Sequence, residues 1–197
     1  MGKRIEQMVE TIGQNHATQF RGEVPVTVHC KNVANIAIYS LNSTKAIDDE
    51  SLLEDITIAA LGHDLLEDTD IKRDDLRNQY GDRVLDYIEL LTNHQDDQHT
   101  TEYMQQLASA PEEVRIIKYG DLIDNTASVI YNLHNLGLDW GNNFFRPIMD
   151  NTLKMLIDSE FSKYKEASKL LSSSALMFAN LLRNKLDNKE SSAKNTQ

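Results

Sequence analysis

The stretch Ala59-Ala60-Leu61-Gly62-His63-Asp64-Leu65-Leu66-Glu67-Asp68-Thr69 sets an imidazole and three carboxylates directly behind an apolar run. On a helix, His63 and Glu67 stand one turn apart, as do Asp64 and Asp68, so two neighbouring stripes present groups that bind cations or move protons. A histidine on an apolar face is more often a packed core residue. Carboxylates in such a place need a cation or hydrogen-bond donors, because an unpaired buried charge is expensive. On this segment alone, a satisfied core histidine and a metal ligand are both open readings. Two other positions have the same character. His29 opens an amphipathic stretch, His29-Cys30-Lys31-Asn32-Val33-Ala34, and Asp121 sits among apolar residues in Ile116-Ile117-Lys118-Tyr119-Gly120-Asp121-Leu122-Ile123-Asp124-Asn125-Thr126, one helical turn before Asn125.

The order His29, then His63-Asp64, then Asp121 resembles the H…HD…D signature of the HD-domain metal-dependent phosphohydrolases, over most of residues 10–135. His63-Asp64-Leu65-Leu66-Glu67-Asp68-Thr69 resembles the HDxxEDT stretch of the RelA/SpoT-type alarmone hydrolase branch. Lys118 to Asn125 is similar to its KLADRLHN stretch, and His16-Ala17-Thr18-Gln19-Phe20-Arg21, with Pro25 and His29, resembles its substrate-side loop. The chain departs from that pattern in a slightly shorter loop between Arg21 and Pro25, in Val26 for a common Tyr, in Cys30 for a common Pro and in Asp124 where the branch usually has His. These departures touch the nucleotide side more than the metal side. No synthetase domain fits in 197 residues, so the resemblance is to a stand-alone small hydrolase.

The resemblance implies an all-α HD-domain bundle of roughly eight to ten helices with no significant sheet. It also implies one divalent metal ion held by His29, His63, Asp64 and Asp121. Mn²⁺ is the usual ion of the family, and Fe²⁺, Co²⁺ or Zn²⁺ also suit mixed nitrogen and oxygen donors. Such an ion makes hydroxide available near neutral pH and offsets carboxylate charge that would repel a phosphorylated substrate. Glu67 and Asp68 are then the residues to orient the water and pass a proton to the leaving oxygen. Arg21 would stack on a base or touch phosphate, Lys118 would pair with a phosphate oxygen, and Asn125 would bond near the ribose and diphosphate. The bland readings are a solvated loop charge for Arg21 and a helix-surface residue for Lys118. The implied reaction removes pyrophosphate from the 3′ position of ppGpp. The same ligands would serve a hydrolase of ppApp, NADPH or nucleotide 5′-monophosphates, or a catalytically silent nucleotide-binding module; intact Glu67 and Asp68 argue for chemistry. A helical interaction protein without metal is a further alternative.

These residues must be carried by helices, since the chain has 8 Gly and 3 Pro and its apolar residues recur at intervals of three and four. The pattern predicts helices over Lys3–His16, Val28–Leu41, Ser51–Glu67 with a capping box from Ser51 to Glu54, Lys72–Tyr80 and Asp82–Thr92. Further helices are expected over Thr101–Ser109, from Pro111 to near Gly137, over Asn143–Ser159 and over Phe161–Leu186. Gly137–Asn143 reads as a tight turn. One domain over 1–187, with C-terminal helices from about 143 and a disordered tail at 188–197, is the simplest organisation. In the polar segment Asn93–His99, a second metal site from His94, Asp96, Asp97 and His99 is weaker than a solvated loop. Tyr87, Tyr103 and Tyr119 read as core, Trp140 as an anchor for the last helices, and His16 and His134 as surface or packing residues.

A net charge of −11, with 25 acidic against 11 basic side chains in residues 1–140, argues against a nucleic-acid polymer as partner. No apolar run approaches the roughly 20 residues that span a bilayer, and the N-terminus lacks an apolar signal core, so no membrane association is expected. The single Cys30 excludes an internal disulfide and fits a reducing cytoplasm. The expected partner is a phosphorylated nucleotide, and the long C-terminal helices leave a homo-oligomer open.

Overall fold

The computed structural model describes residues 2–93 and 101–194, with side chains as far as 187. Helix α1 (Lys3–Asn15) turns Met8, Thr11 and Ile12 inward and leads to a two-stranded hairpin, β1 (Phe20–Arg21) and β2 (Val24–Pro25), in which Arg21 pairs with Val24. Gly22, at φ +66°, supplies the left-handed residue this tight reversal requires. The hairpin replaces the loop expected there. Helix α2 (Val26–Ser43) starts directly after Pro25, two residues earlier than predicted, because the fixed φ of proline suits the position just ahead of a helix.

Helix α3 (Glu50–Leu61) is capped by Asp49, whose carboxylate accepts the N–H groups of Ser51 and Leu52 at 3.0 and 3.1 Å. The expected capping box from Ser51 does not form, since Asp49 already satisfies the orphan donors of the first turn. From Asp55 to Leu61 every residue of α3 is buried. The helix stops at Gly62, and a separate turn, α4 (Leu65–Asp68), follows. Then come α5 (Arg73–Tyr80), α6 (Asp82–Leu91), α7 (Thr101–Ser109) and α8 (Glu112–Leu136), bounded as the sequence predicts to within a residue or so. Gly81 and Gly137, at φ +90° and +87°, close α5 and α8. The expected turn at Gly137–Asn143 is instead helical: α9 (Leu138–Trp140) runs through a π-turn (Gly141–Phe145) into α10 (Arg146–Asp158). Helix α11 (Lys165–Lys194) begins after Phe161 and continues past Leu186.

Helices α3 and α8 form the middle of the bundle, and α2 packs on both. Helices α1 and α6 flank α3, while α10 and α11 cover α8. No helix among the described residues is long and apolar enough to cross a membrane. The α2/α8 crossing brings the His29 and Asp121 elements together, and its closeness has a visible cause. A β-carbon on Gly120 would stand 2.9 Å from the Val33 carbonyl oxygen, a backbone atom with no rotamer to yield. Glycine in mid-helix costs about 1 kcal/mol relative to alanine. Gly120→Ala is nevertheless expected to lower stability by about 1–2 kcal/mol, because overpacking outweighs the propensity gain. Urea unfolding measures this, and a variant as stable as wild type would contradict it.

Candidate metal centre and its chamber

His29 comes from the first turn of α2, His63 and Asp64 from the junction of α3 and α4, and Asp121 from the middle of α8. His29 Nε2 lies 3.2 Å from His63 Nε2, 3.2 Å from Asp121 Oδ1 and 3.6 Å from Asp64 Oδ2; His63 Nε2 lies 3.0 Å from Asp64 Oδ1 and 3.7 Å from Asp121 Oδ1. His29, His63 and Asp121 are buried, and Asp64 is half-buried. The four candidate ligands therefore converge. The local geometry differs from the single helix expected through Glu67: Gly62 ends α3, His63 lies outside any helix, and Asp64 caps α4. Asp64 and Asp68 keep their one-turn relation, with the Asp68 N–H on the Asp64 carbonyl at 2.9 Å.

The donor set fits a divalent cation. His29 Nδ1 faces the Asp124 carboxylate at 2.7 Å, and His63 Nδ1 faces the Ala60 carbonyl at 2.9 Å. Both partners only accept, so each Nδ1 carries hydrogen and a neutral ring points its Nε2 lone pair inward. Two lone pairs 3.2 Å apart, beside two carboxylates, call for a positive charge between them. A proton on His63 answers that need without a metal. Burial would lower the His63 pKa, but the Asp64 charge and the hydrogen bonds that the protonated ring donates to Asp121 and Asp64 hold it up at about 10. Burial likewise opposes ionisation of both carboxyls; His63 and His29 overcome it at Asp64, and Lys118 with the two histidines overcomes it at Asp121, keeping both below the usual range.

Around this cluster Lys118 Nζ lies 2.8 Å from Asp121 Oδ2 and above the Tyr103 ring. Burial would depress the lysine, but the Asp121 charge raises it above its ordinary value. Lys118 is thus a half-buried partner of a candidate ligand, not a helix-surface residue. Asn125 donates to Asp121 Oδ1 at 2.5 Å and accepts from Arg21, whose guanidinium also reaches Asp64 Oδ2 at 3.3 Å. Glu67 accepts the Asn93 N–H at 2.9 Å. Burial raises the Glu67 carboxyl against the pull of that N–H, and the Asp64 charge adds to the rise; burial and Asp64 also raise Asp68.

These groups line one end of a chamber of about 420 Å³. Ser128, Asn132 and Asn135 of α8 continue one wall, and Leu136, Trp140, Phe144, Phe145 and Ile148 form an apolar far end. Trp140 packs against Phe144 and Phe145 with ring centroids 5.4 and 5.9 Å apart, so it belongs to the chamber as well as to the α9/α10 joint. Tyr103, read as core, is buried and also lines the chamber; its hydroxyl donates to the Leu91 carbonyl at 2.6 Å. The role of Asn93 was not foreseen, since it follows a helix end without any motif. The α8 stripe of Asn125, Ser128, Asn132 and Asn135 was readable, because its spacing follows one helix face. His94, Asp96, Asp97 and His99 lie outside the described residues. His134 is exposed, whereas His16 is buried with Nδ1 2.6 Å from Gln19 Oε1.

Comparison with models of known protein families finds no match. A guanosine-3′,5′-bis(diphosphate) 3′-pyrophosphohydrolase of Aquifex aeolicus (strain VF5) is 30% identical over 135 residues, covering 64% of this chain and 18% of that relative. A solved structure of a metazoan ortholog of SpoT, described as hydrolysing ppGpp and playing a role in starvation responses, superimposes with a TM-score of 0.65. It covers 87% of this chain and 94% of its own, at 19% identity. The curated relative bears out the resemblance read from the sequence, and the solved structure bears out its fold. The chain has the helical fold of a ppGpp-hydrolysing SpoT ortholog, and its H…HD…D residues meet at one point of that fold.

Proposed function

We propose that this protein is a metal-dependent phosphohydrolase that cleaves ppGpp to GDP and pyrophosphate. The observation that carries this reading is the meeting of two imidazole Nε2 atoms and two carboxylates at one end of a nucleotide-sized chamber, beside Glu67 and Asp68. His29, His63, Asp64 and Asp121 would hold the ion, and Mn²⁺ suits this donor set. When bound, the ion supplies a water of lowered pKa and neutralises the carboxylates that face the substrate. The water oxygen bonds to the phosphorus next to the ribose 3′ oxygen, the bond between that phosphorus and O3′ breaks, and a proton goes to O3′. Glu67, held by the Asn93 N–H, orients the water, and Asp68 serves as proton donor to the leaving oxygen. Arg21 and Lys118 supply positive charge toward the diphosphate, and Asn125 holds Arg21 over the site. A soluble cytoplasmic setting fits this substrate.

The test is direct. Metal-stripped protein is incubated with ppGpp, with and without Mn²⁺, and GDP and pyrophosphate are followed, with Asp64→Ala as control. Mn²⁺-dependent release of both products, lost in the variant, is expected. Cleavage of ppApp or NADPH in place of ppGpp would keep the chemistry and overturn the substrate. Binding has its own readout, because Trp140 is the sole tryptophan and lines the chamber. Titrating GDP into Asp64→Ala protein should change its fluorescence, while pyrophosphate alone should not. An unchanged spectrum at saturating GDP would remove the apolar end as the nucleoside site.

A further inference from the structure

The two histidines of the cluster are supported in different ways. His63 Nδ1 rests on a neutral carbonyl three residues back, that of Ala60 at the end of α3. His29 Nδ1 rests on a full carboxylate from another helix, Asp124 Oδ2 at 2.7 Å, and the other oxygen of that carboxylate accepts Asn32 Nδ2 at 2.8 Å. Asn32 stands one turn after His29 on α2, and Asp124 one turn after Asp121 on α8, so the chain His29–Asp124–Asn32 ties the two ligand-bearing helices together next to the cluster. A carboxylate behind a ligating imidazole fixes its tautomer and orientation and increases its basicity toward a metal.

We propose that Asp124 is a positioning residue for the metal centre: it fixes His29 in the Nδ1–H form with Nε2 aimed at the ion, and Asn32 fixes Asp124. This rests on the metal-binding reading above and goes beyond it, because Asp124 stands where the resembling branch usually has histidine. The carboxylate does not line the chamber and meets the cluster through His29, at the ring nitrogen that faces away from the other ligands. The effect should therefore appear in ion affinity before it appears in the chemical step.

The experiment titrates Mn²⁺ into metal-stripped full-length protein by calorimetry, for wild type, Asp124→Ala, Asp124→Asn and Asn32→Ala, and records the melting temperature of each metal-free protein. Asp124→Ala should bind Mn²⁺ about 10–100-fold more weakly. Asp124→Asn, which keeps an acceptor for Nδ1–H but loses the charge, should fall between it and wild type, and Asn32→Ala should show the smallest loss. At Mn²⁺ concentrations that saturate each variant, kcat on ppGpp should return to near the wild-type value. Equal affinity in wild type and Asp124→Ala would overturn the positioning role while leaving the metal centre intact, even if the variant melts lower. A wild type that binds no Mn²⁺ would overturn both. If Asp124→Ala fails to fold, an Asp124→Asn affinity equal to wild type would tell against the role of the charge.

Discussion

Glu67→Gln is expected to reduce kcat by about 10²–10⁴-fold at saturating Mn²⁺, with Mn²⁺ affinity close to wild type. The size follows from the geometry. Glutamine keeps the length and can still accept the Asn93 N–H, so the backbone around α4 need not move. What is lost is the carboxylate oxygen that takes hydrogen from water. Desolvation and the nearby Asp64 charge have already raised this carboxyl, which brings it nearer the working range of a general base than an ordinary glutamate. Asp68→Asn should also slow turnover, since its carboxyl is raised by the same two causes. Steady-state kinetics on purified variants, with calorimetric Mn²⁺ titration as a control, gives the answer. A Glu67→Gln enzyme within a few-fold of wild type would remove Glu67 from the chemistry.

The second large effect concerns stability. Filling the site at a thousand times the dissociation constant adds about 4 kcal/mol by mass action, provided the unfolded chain binds the ion poorly. In a chain of this size that corresponds to a rise in melting temperature on the order of 10 °C. The cause is the buried acidity: Asp64 and Asp121 are ionised beside one protonated imidazole and Lys118, and a divalent ion pairs with both carboxylates more completely than a proton on His63 does. Differential scanning calorimetry of metal-stripped protein, with and without Mn²⁺, measures the shift. Asp64→Ala should abolish most of it. A melting temperature indifferent to every divalent cation would leave the cluster as a structural ion-pair network.

Much of this was legible before any coordinates. Pro111 and Gly137 bracket α8 because each is suited to one end of a helix and to little else. The order His29, His63-Asp64, Asp121 survives as a resemblance because a metal site constrains residue type more tightly than a core does. Other features were hidden for physical reasons. Gly62 ends α3 inside a stretch whose apolar rhythm runs on unbroken, so periodicity alone carries the helix through it. The pairing of Asp124 with His29 joins two helices far apart in sequence, and no local pattern announces such a contact. Lys118 read as a phosphate partner or a helix-surface residue, and its pairing with Asp121 was hidden because one carboxylate has two oxygens, which the structure uses separately.

The π-turn is the least predictable element, since an i to i+5 hydrogen bond has no residue signature of its own. Here the Arg146 N–H reaches back to the Gly141 carbonyl, and a β-carbon at Gly141 would stand 2.8 Å from Leu186 and 3.0 Å from Leu133. In the language of helix phase, such a turn is a one-residue insertion absorbed without breaking the rod. On a regular α-helix two residues five apart stand about 140° apart around the axis, so Trp140 and Phe145 would face different ways; the wider turn brings both onto the chamber. Its aromatic end is thus set by a change of reading frame along a helix as much as by the side chains themselves.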